Sequence, residues 1–154
     1  MTWPVAALDA VRELRVMAEA MPGVGLVERI IDAPFDEVWG VIEDLERAVP
    51  SFDPMVRSLT ITSRDGEHLT VRTTTPVLPV PVTFDVLLRS GWCWMQSSMY
   101  VVGMAASPLD NRTRYAHLEG VPYRRGRLLR PIMRRIVGRD VDGIVGTVAR
   151  RSAS

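Results

Sequence analysis

The chain has 154 residues, 47% of them hydrophobic, with 19 basic and 18 acidic side chains and a formal charge of +1. That length suits one domain, which buries roughly 70% of the surface its unfolded form exposes. Every basic residue other than histidine is arginine, so Schiff-base chemistry and a lysine general base are excluded.

No apolar run approaches the ~20 residues needed to cross a bilayer. The first residues carry neither a basic opening nor a clear cleavage pattern, so a soluble, cytoplasmic protein is expected. Cys93 stands alone, which rules out an internal disulfide and a multi-cysteine metal site; no metal and no cofactor is expected. Charge is spread unevenly. Residues 1–123 hold ten Arg against sixteen Asp and Glu, whereas residues 124–154 hold nine Arg against Asp140 and Asp142. The basic end either solvates a helix face or contacts an anionic membrane or protein partner through Arg124–Arg139. Nucleic-acid partners are not expected, because no aromatic residues interleave with the arginines and no reading motif appears.

In chain order, Val5, Leu8, Val11, Leu14, Ala18 and Met21 recur at three- and four-residue steps. That is the period of an amphipathic helix, ended by Pro22-Gly23. Residues 1–22 therefore read as an N-terminal helix ahead of a domain at residues 24–150; the helix either packs on that domain or joins two copies as a homodimer. Val24–Ile31 reads as a strand. Pro34–Asp44 reads as a helix with proline in its first turn and Phe35, Val38, Trp39 and Ile42 as its buried stripe. A second short turn covers Glu43–Val49 and should stop at Pro50.

Six further strands follow: Val56–Ser63, Glu67–Thr75, Val80–Arg89, Trp92–Ser98, Met99–Ala106 and Arg112–Glu119. Arg64–Glu67 and Leu109–Asn111 carry turn residues suited to hairpins. Leu78-Pro79-Val80-Pro81 lacks two ladder donors, which places it at an edge or a bend beside the mouth of any cavity. From Arg124 the period becomes helical. Leu128, Leu129, Ile132, Met133, Ile136, Val137, Val141, Ile144, Val145 and Val148 make a wide apolar stripe, and Pro131 starts or kinks the helix. Gly138, Gly143 and Gly146 leave room beside that stripe for a strand or a ligand.

Chemistry-bearing residues are few. His68 lies beside a turn and reads as exposed. Tyr115, His117 and Glu119 share one face of their strand, because side chains alternate with a period of two. Pointing inward, they would supply a general acid, a base and an orienting carboxylate. If Ala116 and Leu118 take the inner face instead, the trio is the polar side of an edge strand, and both readings stand at this level. Candidate walls of a hydrophobic pocket are Trp39, Trp92, Trp94, Met95, Tyr100, Met104, Tyr115, Met133 and Val137. A one-residue slip in strand register would exchange half of that set.

The segment Val27-Glu28-Arg29-Ile30-Ile31-Asp32-Ala33-Pro34-Phe35-Asp36-Glu37-Val38-Trp39, the succeeding VIEDLERAVPSFDPMVRSLTI and the final Arg125–Arg150 stretch carry a family resemblance. Over roughly residues 24–150 the chain resembles the polyketide cyclase/dehydrase and lipid-transport group of the START and birch-pollen-allergen-like helix-grip superfamily. The resemblance implies an α+β helix-grip fold. Its parts are a curved antiparallel sheet of about seven strands, two short helices after the first strand and a long C-terminal helix closing a cavity. The N-terminal helix would be an addition. It also implies binding or transport of a small hydrophobic molecule such as a lipid, quinone or polyketide-like compound. The enzymatic alternative is a cyclase, aromatase or dehydratase, and a third is a membrane- or protein-interaction module. No invariant catalytic set crosses the group, so none is carried onto Tyr115, His117 or Glu119.

Overall fold

The computed structural model describes residue 2 and residues 7–154. Helix α1 (Ala10–Ala20) is started by Asp9, whose carboxylate accepts the Arg12 N–H at 2.9 Å, one of the otherwise orphaned donors of a helix start. The helix is shorter than its sequence pattern suggests: Leu8 precedes it and is exposed, and Val5 lies outside the described residues. Val11, Leu14 and Ala18 form its buried stripe.

Strand β1 (Val24–Ile31) leads into α2 (Phe35–Ile42) and α3 (Leu45–Phe52), followed by β2 (Ser58–Asp65), β3 (His68–Thr74), β4 (Val82–Arg89), β5 (Trp92–Gln96), β6 (Val101–Leu109) and β7 (Arg112–Gly120). All seven strands form one antiparallel sheet in the order β1-β7-β6-β5-β4-β3-β2. The expected helix-grip architecture is present. The end of α3 and the place of β7 differ from expectation. Pro50 does not stop α3; the helix runs on for part of a turn, with the Asp53 N–H donating to the Val49 carbonyl at 2.9 Å. Strand β7 is not at an edge, since β1 pairs with it on one side and β6 on the other.

The sheet's two faces hold separate cores. Trp92, Val101, Ala105, Ala116 and Leu118 point outward and are covered by Val11, Leu14 and Ala18 of α1. Gly103 makes this docking possible, because a Cβ there would lie 2.6 Å from Leu14 Cδ1. Leu59, Leu69, Val71, Phe84, Val86, Cys93, Met95, Met104 and Tyr115 point inward, under α2, α3 and the final helix. Alternation thus sorts the residues of β1, β5, β6 and β7 between two apolar layers, whereas the outward residues of β2, β3 and β4 are mostly polar and open to solvent.

Arg124–Leu129 forms a 3₁₀ helix, and α4 (Arg130–Ser152) carries Pro131 in its first turn, where a missing N–H costs nothing. Met133, Val137, Asp140, Val141, Ile144 and Val148 make its buried face. Leu128, Leu129 and Ile132, expected in the same stripe, are exposed instead because they fall on the 3₁₀ segment and the first turn. Helix α4 crosses β1 at Gly25, where an added Cβ would lie 2.5 Å from the Arg134 backbone nitrogen. At its other half Gly143 faces Phe52 of α3, with 3.0 Å left between a would-be Cβ and Phe52 Cβ. Gly138 borders open space and serves no such approach. Among the described residues no helix is long and apolar enough to cross a membrane.

Candidate functional site: a cavity with a buried acidic wall

The inner face of the sheet is not completely filled. A cavity of about 440 Å³ lies between the sheet, α3 and α4. Strand alternation supplies one wall through Val82 and Phe84 of β4, Met95 of β5, and Val102 and Met104 of β6. Helix α3 adds Val49 and Phe52, and α4 adds Met133 and Ile136, residues of its apolar stripe. Leu78 lies on the proline-rich bend between β3 and β4 and Met99 on the turn between β5 and β6; both reach the cavity. Methionine and aliphatic side chains make this an apolar, adaptable lining.

Thr73, Thr75 and Ser97 add hydroxyl groups to the lining, and the carboxyl groups come from β7 and the end of α3. Glu119 on β7 lines the cavity, and its Oε2 accepts the Tyr100 hydroxyl at 2.8 Å. Its Oε1 lies 2.7 Å from His117 Nε2, and His117 Nδ1 lies 2.8 Å from the Tyr115 hydroxyl. An imidazole carrying its proton on Nε2 satisfies both contacts: it donates to Glu119 and accepts from Tyr115. Phe52 and the His117 ring meet edge to face, with centroids 5.7 Å apart and planes at 89°. Burial, then the charge of Glu119, holds the Tyr100 hydroxyl well above the ordinary phenol range; burial does the same to Tyr115. Both therefore remain hydroxyl donors.

Two more carboxyl groups complete the acidic side. Asp53, at the end of α3, also lines the cavity and accepts the Met55 N–H at 2.8 Å. Burial and then the charge of Glu119 raise it to about 6, against smaller opposing effects of the Met55 N–H and His117. Asp140 of α4 is completely buried, and neither of its carboxylate oxygens has a hydrogen-bond partner. Burial, followed by the charges of Glu119 and Asp53 and by the nearby Glu119 carboxyl as a potential proton-sharing partner, raises it to about 9, against a smaller opposing effect of Arg139. Donor atoms of Asp140, His117 and Glu119 lie within 4.8 Å of one another.

Of the residues singled out in the sequence, Met95, Tyr100, Met104, Met133 and Glu119 line the cavity. Tyr115 and His117 are fully buried beside it, and His117 reaches the wall only through Glu119. Trp39 packs in the core, stacked on Phe35, and does not line the space. Trp92 and Trp94 lie on the opposite face of the sheet, with α1, because even-numbered residues of β5 point outward. Val137 packs in the core under α4, while its neighbour Ile136 lines the cavity. Sequence reasoning missed Asp53 and Asp140. An acid at position 140 falls three residues after Val137 and four before Ile144, which is the signature of a carboxyl placed on an apolar face.

No protein-family model and no curated protein matches the chain. Solved structures do. The Zhui aromatase/cyclase from a Streptomyces species superposes with a TM-score of 0.65 at 18% identity, over 84% of this chain and 96% of that one. The protein TTHA0849 from Thermus thermophilus gives 0.63 at 21% identity, covering 84% and 99%. A START superfamily protein from Mycobacterium smegmatis gives 0.57 at 13% identity, covering 82% and 97%. The likeness covers most of this chain and nearly all of each partner, and at these identities it is a likeness of fold. The chain has the helix-grip fold of the START and polyketide-cyclase group that its sequence resembles.

Proposed function

We propose that the protein binds a small hydrophobic molecule in the cavity between its sheet and α4. The observation that carries this reading is a largely apolar space of about 440 Å³ whose wall includes the carboxyl groups of Glu119 and Asp53 and the Tyr100 hydroxyl. Covering ~300 Å² of apolar ligand surface would contribute about 7.5 kcal/mol at ~25 cal/mol per Å². Lost translational and rotational freedom takes back a large part of that gain. The wall carboxyl groups then orient a guest that offers a hydroxyl or another hydrogen-bond donor, as a reduced quinone, a sterol-like lipid or a phenolic polyketide does. Native mass spectrometry after gentle purification tests the idea, with Met133→Trp filling the space. Retained small molecules that disappear in the variant are expected. A clean wild-type spectrum, together with no binding from lipid, quinone and polyketide panels, overturns it.

A cyclase- or aromatase-type reaction is the second reading. It is favoured by Asp53, a carboxyl on the cavity wall that titrates close to neutrality and so suits proton transfer. The fold's likeness to an aromatase/cyclase adds to this. Asp53 and Glu119 would meet the substrate, with His117 and Tyr115 positioning Glu119. Turnover of a poly-ketone substrate should then drop in Asp53→Asn and Glu119→Gln, whereas equal rates in both variants would rule this chemistry out.

Leu78, Val80, Met99, Tyr123, Leu128 and Ile132 are exposed apolar residues, and Leu78 and Met99 also line the cavity. Arg124, Arg125, Arg127, Arg134 and Arg135 lie beside Tyr123, Leu128 and Ile132 in the chain and form no ion pair among the described residues. That combination suits transient contact with an anionic bilayer, worth about 1 kcal/mol per arginine near the surface. Binding to phosphatidylglycerol vesicles should weaken with salt and in Arg127→Glu/Arg134→Glu; salt-independent behaviour would count against it.

A further inference from the structure

We infer that His117, Glu119 and Asp140 form a binding site for one divalent first-row transition-metal ion. The inference is independent of the hydrophobic-ligand reading, and either can fail alone. Its starting point is Asp140, whose two oxygens are the only buried side-chain nitrogen or oxygen atoms among the described residues without a hydrogen-bond partner. A buried polar group left unpaired is destabilising, and a buried carboxylate more so. An imidazole nitrogen of His117 and a carboxylate oxygen of Glu119 lie within 4.8 Å of one of its oxygens.

Donor type, spacing and charge agree. Ligands at ~2.1 Å from a metal and at right angles to each other are ~3 Å apart. His117 Nε2 and Glu119 Oε1 are already separated by 2.7 Å, so a small side-chain displacement makes them two cis ligands. Asp140 approaches from α4 as the third. One nitrogen and two carboxylate oxygens suit zinc, cobalt, manganese or ferrous iron. Once Asp140 has released its proton to solvent, two carboxylates and a neutral imidazole balance the charge of a +2 ion.

The support around these three residues fits the same role. His117 and Glu119 stand on a strand paired on both sides, and Asp140 lies in the middle of a 23-residue helix. Metal-bound histidines hold their second ring nitrogen through a neighbour that fixes the ring. Here the proton displaced from Nε2 would move to Nδ1, where the Tyr115 oxygen accepts it. Tyr100 donates to the other oxygen of Glu119 and holds that carboxylate in place. Glu119 lines the cavity, which gives an ion its path inward.

The test uses the untagged full chain, stripped with a chelator and exchanged into chelator-free buffer. Titration with Zn²⁺ or Co²⁺ alone, followed by calorimetry, should show one equivalent bound. With Co²⁺ a visible d–d band should saturate at that ratio, and the melting temperature should rise. Asp140→Asn and His117→Gln should each weaken binding by at least ~10-fold and abolish the melting shift. Asp142→Asn, which changes an exposed acid paired with Arg29 on the same helix, should bind as the wild type does. Circular dichroism and the metal-free melt of each variant separate lost binding from lost folding. No stoichiometric binding by the wild type would overturn the inference. So would folded Asp140→Asn and His117→Gln proteins that bind the ion as tightly as the parent.

Discussion

Asp53→Asn should make the metal-free protein more stable at neutral pH, although it alters a polar group in contact with the cavity. Asp53 is 8% exposed, and burial followed by Glu119 moves its titration from 3.8 to about 6. Its folded form therefore keeps a proton that the unfolded chain releases at lower pH. Stability falls as pH rises from about 4 to about 6, and the full cost is present above that window. At about 1.4 kcal/mol per tenfold change in ionisation, the cost at pH 7 is about 3 kcal/mol, nearer 2 once water in the cavity is allowed for. Asparagine never ionises, and its side-chain oxygen can still accept the Met55 N–H. Urea unfolding at several pH values measures the difference. With a slope of about 1–3 kcal/mol per molar, the midpoint at pH 7 should rise by roughly 1 M relative to wild type. Near pH 4 the two proteins should nearly coincide. Parallel stability profiles from pH 4 to 7 would refute the reasoning, because the carboxyl would then titrate alike in both states.

Gly25→Ala should destabilise by more than ~3 kcal/mol, since its Cβ would lie 2.5 Å from the Arg134 backbone nitrogen; thermal melts check this. Gly138→Ala, in the same helix but facing open space, should instead stabilise by about 0.5–1 kcal/mol. Leu14→Ala, at a fully buried site on α1, should cost about 2–5 kcal/mol by urea unfolding if the N-terminal helix is part of the cooperative unit. A loss below ~1 kcal/mol would mean that α1 unfolds separately from the sheet.

Much of the architecture could be read in the chain because single-residue rules operate there without competition. The β1 span, the turns at Gly66 and Asp110, and the start of α4 around Pro131 follow from alternation, from turn residues and from proline's missing donor. Gly66 and Asp110 indeed take φ of 60° and 53°. The site was harder to read, since period two says which residues share a face but not which face is inside. Tyr115, His117 and Glu119 were grouped correctly, yet an apolar outer layer under α1 made Ala116 and Leu118 equally good inner residues. The tryptophans misled for the same reason: Trp92 and Trp94 are large and apolar, but they serve the second core. Asp140 could not be joined to β7 by sequence spacing, since only the crossing of α4 over the sheet brings it there.

The bare backbone contact at Gly25 and the tight seat of Gly143 on Phe52 clamp both halves of α4. A roof seated this closely at two points resists lifting, so adjustment of the chamber is left to the side chains that line it. Admission then falls to the short segments carrying Leu78 and Met99, and a molecule too long for the interior must leave its tail protruding between them.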